Sequence, residues 1–254
     1  MIVSMRAAPG TFMEIFGYLV TCLAKAFADI FKGRIHLSQL RKELIFIGYE
    51  CLPMIVVLTG LASMIMTLNT AVELSSRRGR ELVGALIATA VLREILPIFI
   101  AFAIAARCGT AITAEISTMK ITEQVDALRV MKISPIYYLL SPKVLAVILL
   151  SPLLVAIATL VCLGSGMMVA KFAIGLEFDP FLESAWKAIG LKEYFYPLIK
   201  TVVFSIYAIL VNTAMGLACE GGAKEVGLMT TKATAISMVG IVILDGILTP
   251  ILYL

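Results

Sequence analysis

The stretch from Arg107 to Met131, RCGTAITAEISTMKITEQVDALRVM, decides how the rest of the chain is read. Long apolar runs flank it on both sides, yet it carries Arg107, Glu115, Lys120, Glu123, Asp126 and Arg129. So charged a segment does not lie in hydrocarbon, where each ionised group costs roughly 3 kcal/mol or more. Ile121, Val125, Leu128 and Met131 recur at steps of four, three and three and so share one helical face. Thr122 can cap such a helix, which puts Glu123 and Asp126 in its positive first turn. Ile133-Ser-Pro135 stops it. The pattern predicts a short amphipathic helix at the membrane surface between two spans. Such a helix can receive a push from a soluble partner, or it can be a solvated loop helix and no more.

The surrounding composition sets the class. The chain has 254 residues, 61% hydrophobic and 15% charged, with a mean hydropathy of +1.01. Soluble domains carry about 25% charged residues, so this is an all-α integral membrane protein with one polytopic domain. A net charge of +4, spread along the chain, gives no footprint for nucleic acid. Cys22, Cys51, Cys108, Cys162 and Cys219 are scattered, no CxxC pair occurs, and His36 is the sole histidine. Neither a metal site nor a disulfide framework is expected, and the cysteines read as small packing residues.

Upstream, Phe12, Ile15, Leu19, Leu23, Phe27 and Phe31 form one stripe, and Glu14, Tyr18, Cys22, Lys25, Asp29 and Lys32 the opposite one. Thr11-Phe-Met-Glu14 fits a capping box. Glu14, Lys25 and Asp29 interrupt the run, so it does not read as a cleaved signal peptide. An interfacial amphipathic helix accounts for the pattern, as would a packed core helix. Residues 1–44 are therefore taken as this helix and a polar connector, and residues 45–254 as the transmembrane domain. Five spans follow: about Ile45–Val72, Leu82–Ala106, Val144–Ala170, Tyr194–Cys219 and Ala233–Leu254. Between them lie a polar turn, Glu73–Glu81, a second amphipathic stretch, Ile174–Glu193, with the single Trp186, and a Gly-rich loop, Cys219–Lys232. Ala101, Ala105, Gly109 and Thr113 make a small-residue face, and Ala208, Asn212 and Gly216 another; each fits an intrachain contact or a dimer seam. With the Arg107–Met131 island in the cytoplasm, thirteen Lys and Arg fall on its side and six on the other. The cluster Arg77, Arg78 and Arg80 runs against that bias.

AEISTMKITEQVDAL (Ala114–Leu128), followed by SPIYYLLSPKVLAVILLSPLL, resembles the signature of the MlaE/YrbE permeases of bacterial ABC lipid transporters. LREILP (Leu92–Pro97), AARCGTA, LIKTVVFSIY and GGAKEVGLMTTKA extend the likeness over roughly residues 40 to 254. Here Leu96-Pro97 follows Ile95, where the family more often has Gly-Pro after Leu. The resemblance implies an interfacial N-terminal helix, a homodimer in the bacterial inner membrane, and phospholipid as cargo. It also implies a separate ATPase subunit that carries ATP and Mg, an MCE-domain periplasmic protein and a small cytoplasmic STAS-type subunit. In this frame the island is a cytoplasmic coupling helix, with Glu115, Lys120, Glu123, Asp126 and Arg129 facing the ATPase.

The chain is not expected to hydrolyse ATP by itself. Gly222–Gly227 begins a GxxxxGK[ST] pattern, but Leu228 and Met229 stand where Lys and Ser/Thr must be. Arg93 and Glu94, inside the second span, must face protein or water. They lie about 100° apart and so do not pair with each other. Glu94 can line a lipid cavity, or it can be a structural partner of Lys200, of Arg107 or of Arg93 in a second subunit. Asp245 reads as a partner for Lys200. Met54, Val57, Leu61 and Met64, around Pro53 and Gly60, can line a route for acyl chains or simply pack. An ion-coupled secondary transporter and a membrane-embedded lipid-modifying enzyme are the alternatives. No internal repeat supports the first, and the lack of any histidine beyond His36 and of spaced aspartates weighs against the second.

Overall fold

A computed structural model describes residues 12–32, 36–75 and 82–253. Within them the chain forms eight helices: α1 (Phe12–Phe31), α2 (Leu37–Ser75), α3 (Val83–Ile121), α4 (Gln124–Val130), α5 (Ile136–Ile174), α6 (Phe178–Ala188), α7 (Leu191–Leu217) and α8 (Ala223–Tyr253). Five of them, α2, α3, α5, α7 and α8, are long and apolar enough to cross a membrane. The capping box at Thr11 and the arginine cluster Arg77–Arg80 lie outside the described residues.

Small residues let the spans approach each other, as hydrocarbon surroundings require. Along α2 and α5, the Ser63 hydroxyl donates to the Cys162 carbonyl at 2.7 Å, the Cys162 thiol donates to the Thr59 carbonyl at 3.4 Å, and Gly166 sits against Thr67. The two small faces read in the sequence meet each other, so both are intrachain contacts. Ala101, Ala105, Gly109 and Thr113 of α3 are buried with Ala208, Asn212 and Gly216 of α7. Thr113 donates to the Asn212 side chain at 2.9 Å, and Asn212 donates in turn to Ser237 of α8 at 2.9 Å. Thus one buried amide links three spans. Helix α8 lies at the periphery, with only 11% of its apolar window buried.

Several helices run past the ends read from hydropathy. The first span begins at Leu37, not Ile45, and the third at Ile136, not Val144. The second continues through Arg107 to Ile121, where an end near Ala106 was expected. Its polar turns are sustained because Thr110 and Thr118 donate back to carbonyls four residues earlier, and because Arg107 pairs with Glu50 of α2. The Gly-rich segment Cys219–Lys232 is mostly helix, since α8 starts at Ala223 with Glu225 and Val226 amides donating to the Gly222 carbonyl. Within α3 the turns Val91–Ile95 and Ile104–Gly109 are π-helical. They hold Arg93, Glu94 and Arg107, and wide turns of this kind frequently mark functional positions.

Two further expectations are corrected. Cys51 and Cys108 are not mere packing residues: their sulfurs meet as a disulfide between α2 and α3, with Cα atoms 6.8 Å apart. Cys162 and Cys219 are buried free thiols. Cys22 also faces inward with Ala26, against Ile136 and Leu140 of α5 and Leu217 of α7. Helix α1 thus packs on the bundle through Cys22 and Ala26, and its polar face is narrower than the sequence stripe implied.

A Cβ on Gly109 would stand 2.6 Å from the Asn212 amide nitrogen, whereas one on Gly164 in α5 would meet nothing within 4 Å. Gly109→Ala is therefore expected to destabilise by about 1–3 kcal/mol, while Gly164→Ala gains up to about 1 kcal/mol from helix propensity. Thermal unfolding in detergent checks the opposite signs; equal shifts would contradict the α3–α7 seam.

Candidate functional site

Two charge clusters sit toward opposite ends of the bundle. The first surrounds the island. Thr122 does not open the island helix. It closes α3, its hydroxyl donating to the Thr118 carbonyl at 2.8 Å, and Glu123 begins α4 in the left-handed region at φ 61°. Val125 and Leu128 are buried, but Ile121 and Met131, expected on the same face, are exposed. The helix is thus one residue pair deep, pinned by ion pairs. Asp126 accepts from Lys120 at 2.9 Å and from Arg129 at 2.7 Å. These bonds, that from Lys120 first, hold the Asp126 carboxyl below the usual carboxylate range. Glu123 and Val130 project into solvent.

Just behind α4 lies a lysine that hydropathy hides. Lys143 of α5 is 2% exposed, pairs with Glu43 of α2, and lies 3.6 Å from Glu115 of α3. Glu115, assigned to the ATPase-facing set from the sequence, is therefore partly engaged inside the chain.

The second cluster gathers on α3, α7 and α8. Lys200 has no exposed surface. Its ammonium lies 2.7 Å from the Asp245 carboxylate and 3.0 Å from that of Glu94, and donates to the Arg93 carbonyl and the Thr249 hydroxyl. Arg93 turns the other way, to Glu193 at 2.9 Å, with its guanidinium 4.8 Å over the Tyr253 ring. Glu193 also caps α7 by accepting from the Gly190 amide. As their spacing implied, Arg93 and Glu94 do not pair with each other; of the partners left open for Glu94 the structure gives Lys200, which also takes Asp245. Glu193, Thr249 and Tyr253 were missed, because nothing in their spacing relates them to Glu94. Three carboxylates face two cations, and the Glu94 side chain remains 40% exposed. Of the four α2 residues, Val57 and Leu61 project from the outer face, while Met54 and Met64 are half-buried. Arg93 and Glu94 take their ion-pair partners from the fourth span, while the turn that carries them also packs on α2. Among the described residues no group of His, Cys, Asp and Glu is placed to hold a metal.

Five apolar helices with polar turns confined to their ends and to buried pairs define a multi-pass helical membrane protein. A family profile described as Permease MlaE matches residues 40–251, and the chain belongs to that permease family. It is 30% identical to a probable ABC transporter permease protein of Synechocystis over 229 residues, 90% of this chain and 87% of that protein. It is likewise 30% identical to a probable ABC transporter permease protein of Rickettsia typhi, over 90% of this chain and 88% of the relative. With the Arabidopsis thaliana protein TRIGALACTOSYLDIACYLGLYCEROL 1, chloroplastic, it shares 31% identity over 87% of this chain and 63% of that one. The chain is thus an ABC transporter permease subunit and not an enzyme, and the family implies an ATPase partner.

Lys200→Met leaves Glu94 and Asp245 as unpaired charges and is expected to cost about 3–5 kcal/mol. The triple change Lys200→Met, Glu94→Gln, Asp245→Asn removes the orphaned charges and should recover most of that loss in detergent unfolding; a triple no more stable than the single would contradict the pairing. The depressed Asp126 carboxyl contributes to α4 docking above the ordinary carboxylate pKa, and the contribution fades as pH falls below about 4. Amide exchange across Gln124–Val130 should therefore lose protection in that acid range, and Asp126→Asn should abolish the pH dependence.

Proposed function

We propose that the chain is the phospholipid-moving permease of an ABC transporter in a bacterial inner membrane. Two copies form the membrane core, and a separate ATPase binds ATP and Mg and drives them. Lipid passes between the membrane and an MCE-domain protein outside, and a small STAS-type subunit can accompany the ATPase. The observation that carries this reading is α4, a seven-residue helix at the end of a 39-residue span, with Glu123 and Val130 left free to engage a soluble partner. A chain with no complete phosphate-binding loop of its own needs such a contact to receive work from nucleotide. One relative bearing a galactolipid's name supports a lipid cargo.

The lipid route is assigned to the outer face of α2, Met54, Val57, Leu61 and Met64, with Arg93 and Glu94 at its polar end. In one copy Val57 and Leu61 are bare; a second copy set against α2 would enclose them. Arg93 and the exposed part of Glu94 then offer both signs of charge to a zwitterionic or anionic head group. On the α4 side, Lys120, Asp126 and Arg129 stiffen the helix, Glu123 makes the contact, and Glu115 joins α3 to Lys143.

Charge reversal tests the assignment. Glu123→Lys with Asp126→Lys should release the ATPase on co-purification, or leave it bound with lipid-stimulated hydrolysis lowered by about tenfold or more, as loss of a buried charged contact does. Unchanged ATPase binding and unchanged transport would remove α4 from the role.

A further inference from the structure

A cleft of about 530 Å³ opens between the C-terminal half of α1 and the chain leaving α4. Lys25, Asp29 and Lys32, spaced four and three apart, line it from α1; Lys132, Ile133 and Tyr137 line the opposite wall. Lys132 is held at φ 61°, a conformation that lysine seldom adopts. Among the described residues neither the three ammonium groups nor Asp29 has an ion-pair partner, so the cleft carries two surplus positive charges. Three unpaired cations converging from two chain segments attract a phosphate-bearing anion.

The setting favours a lipid over a free anion. Phe31 precedes Lys32 and Leu37 opens α2 five residues after it; they are 87% and 78% exposed. Side chains so large and so bare belong at the hydrocarbon boundary. Ile133 and Tyr137, the latter tilted against His36 at 5.8 Å between ring centres, give the cleft an apolar side beside its lysines. We propose that this cleft binds an anionic phospholipid head group, its phosphate among Lys25, Lys32 and Lys132. The cleft adjoins α4, toward the opposite end of the bundle from Glu94, and is separate from the proposed lipid route. The inference does not rest on the transport reading. A head group bound there ties α1 to Lys132, two residues beyond α4, and so braces the island against the bundle.

The test uses the full chain with its native partners in phosphatidylcholine vesicles, probed with spin-labelled phosphatidylglycerol and, separately, spin-labelled phosphatidylcholine. The wild type should immobilise the anionic probe preferentially. Each lysine near a membrane surface contributes about a fivefold factor, so Lys25→Gln with Lys32→Gln and Lys132→Gln should weaken retention by at least about tenfold. The three Lys→Arg changes should retain it. Asp29→Asn, which adds to the surplus charge, should strengthen it, a gain that misfolding cannot mimic. Equal retention of both probes by the wild type, or retention unaltered by the three Gln changes, would overturn the proposal. Displacement of the probe by an equal concentration of inorganic phosphate would overturn it in favour of a free-anion site.

Discussion

Lys200, a lysine without exposed surface inside an apolar bundle, sets the terms for the far end of this protein. An unpaired ammonium there is untenable, so Asp245 and Glu94 must both stay within reach, at 2.7 and 3.0 Å. That requirement fixes the axial register of α3, α7 and α8 as firmly as the Gly109–Asn212 contact fixes their separation. Lys143 imposes the same condition at the other end, where Glu43 and Glu115 draw α2 and α3 onto α5. Each buried lysine gathers three spans, and α3 contributes a carboxylate to both.

The shared helix therefore has a mechanical position as well as a structural one. Glu94 and Glu115 lie about 30 Å apart along α3 at the usual helical rise. Between them the helix is continuous, but it includes the π-helical turn Ile104–Gly109 and begins in another, Val91–Ile95. A wide turn can pass a register shift along a helix without breaking it. In the transport reading, displacement of α4 by the ATPase acts on the end of α3 directly, through the two-residue link at Thr122 and Glu123. Its effect at Glu94 is a change in how much carboxylate faces the lipid route. The Cys51–Cys108 bridge and the Arg107–Glu50 pair tie the middle of α3 to α2.

Much of this architecture was legible from the residues. Hydropathy located all five spans, because a run such as Val144–Ala170 has no other stable setting. The two small-residue faces were visible from spacing, and the structure showed that they face each other. The signature Ala114–Leu128 points to the permease family whose profile the chain matches over residues 40–251. Helix ends were legible only poorly. Hydropathy reports where hydrocarbon begins, whereas α2, α3, α5 and α8 continue beyond it with polar residues such as Arg41, Lys120, Tyr137 and Lys224 on their surfaces. Thr122 has the chemistry of an N-cap, but its hydroxyl serves the helix behind it. The partners of buried charges were the hardest to read: Lys143 stands about 100 residues from Glu43, and neither neighbourhood marks the other.

The most direct test of the permease reading places a photoreactive cross-linking residue at Glu123 in the membrane-embedded chain and, as a control, at Trp186 on the opposite surface. The account predicts that the Glu123 position forms an adduct with a protein carrying an intact nucleotide-binding loop, and that the Trp186 position does not. A chain that cross-links to no ATPase from Glu123, while remaining folded and membrane-inserted, would contradict it.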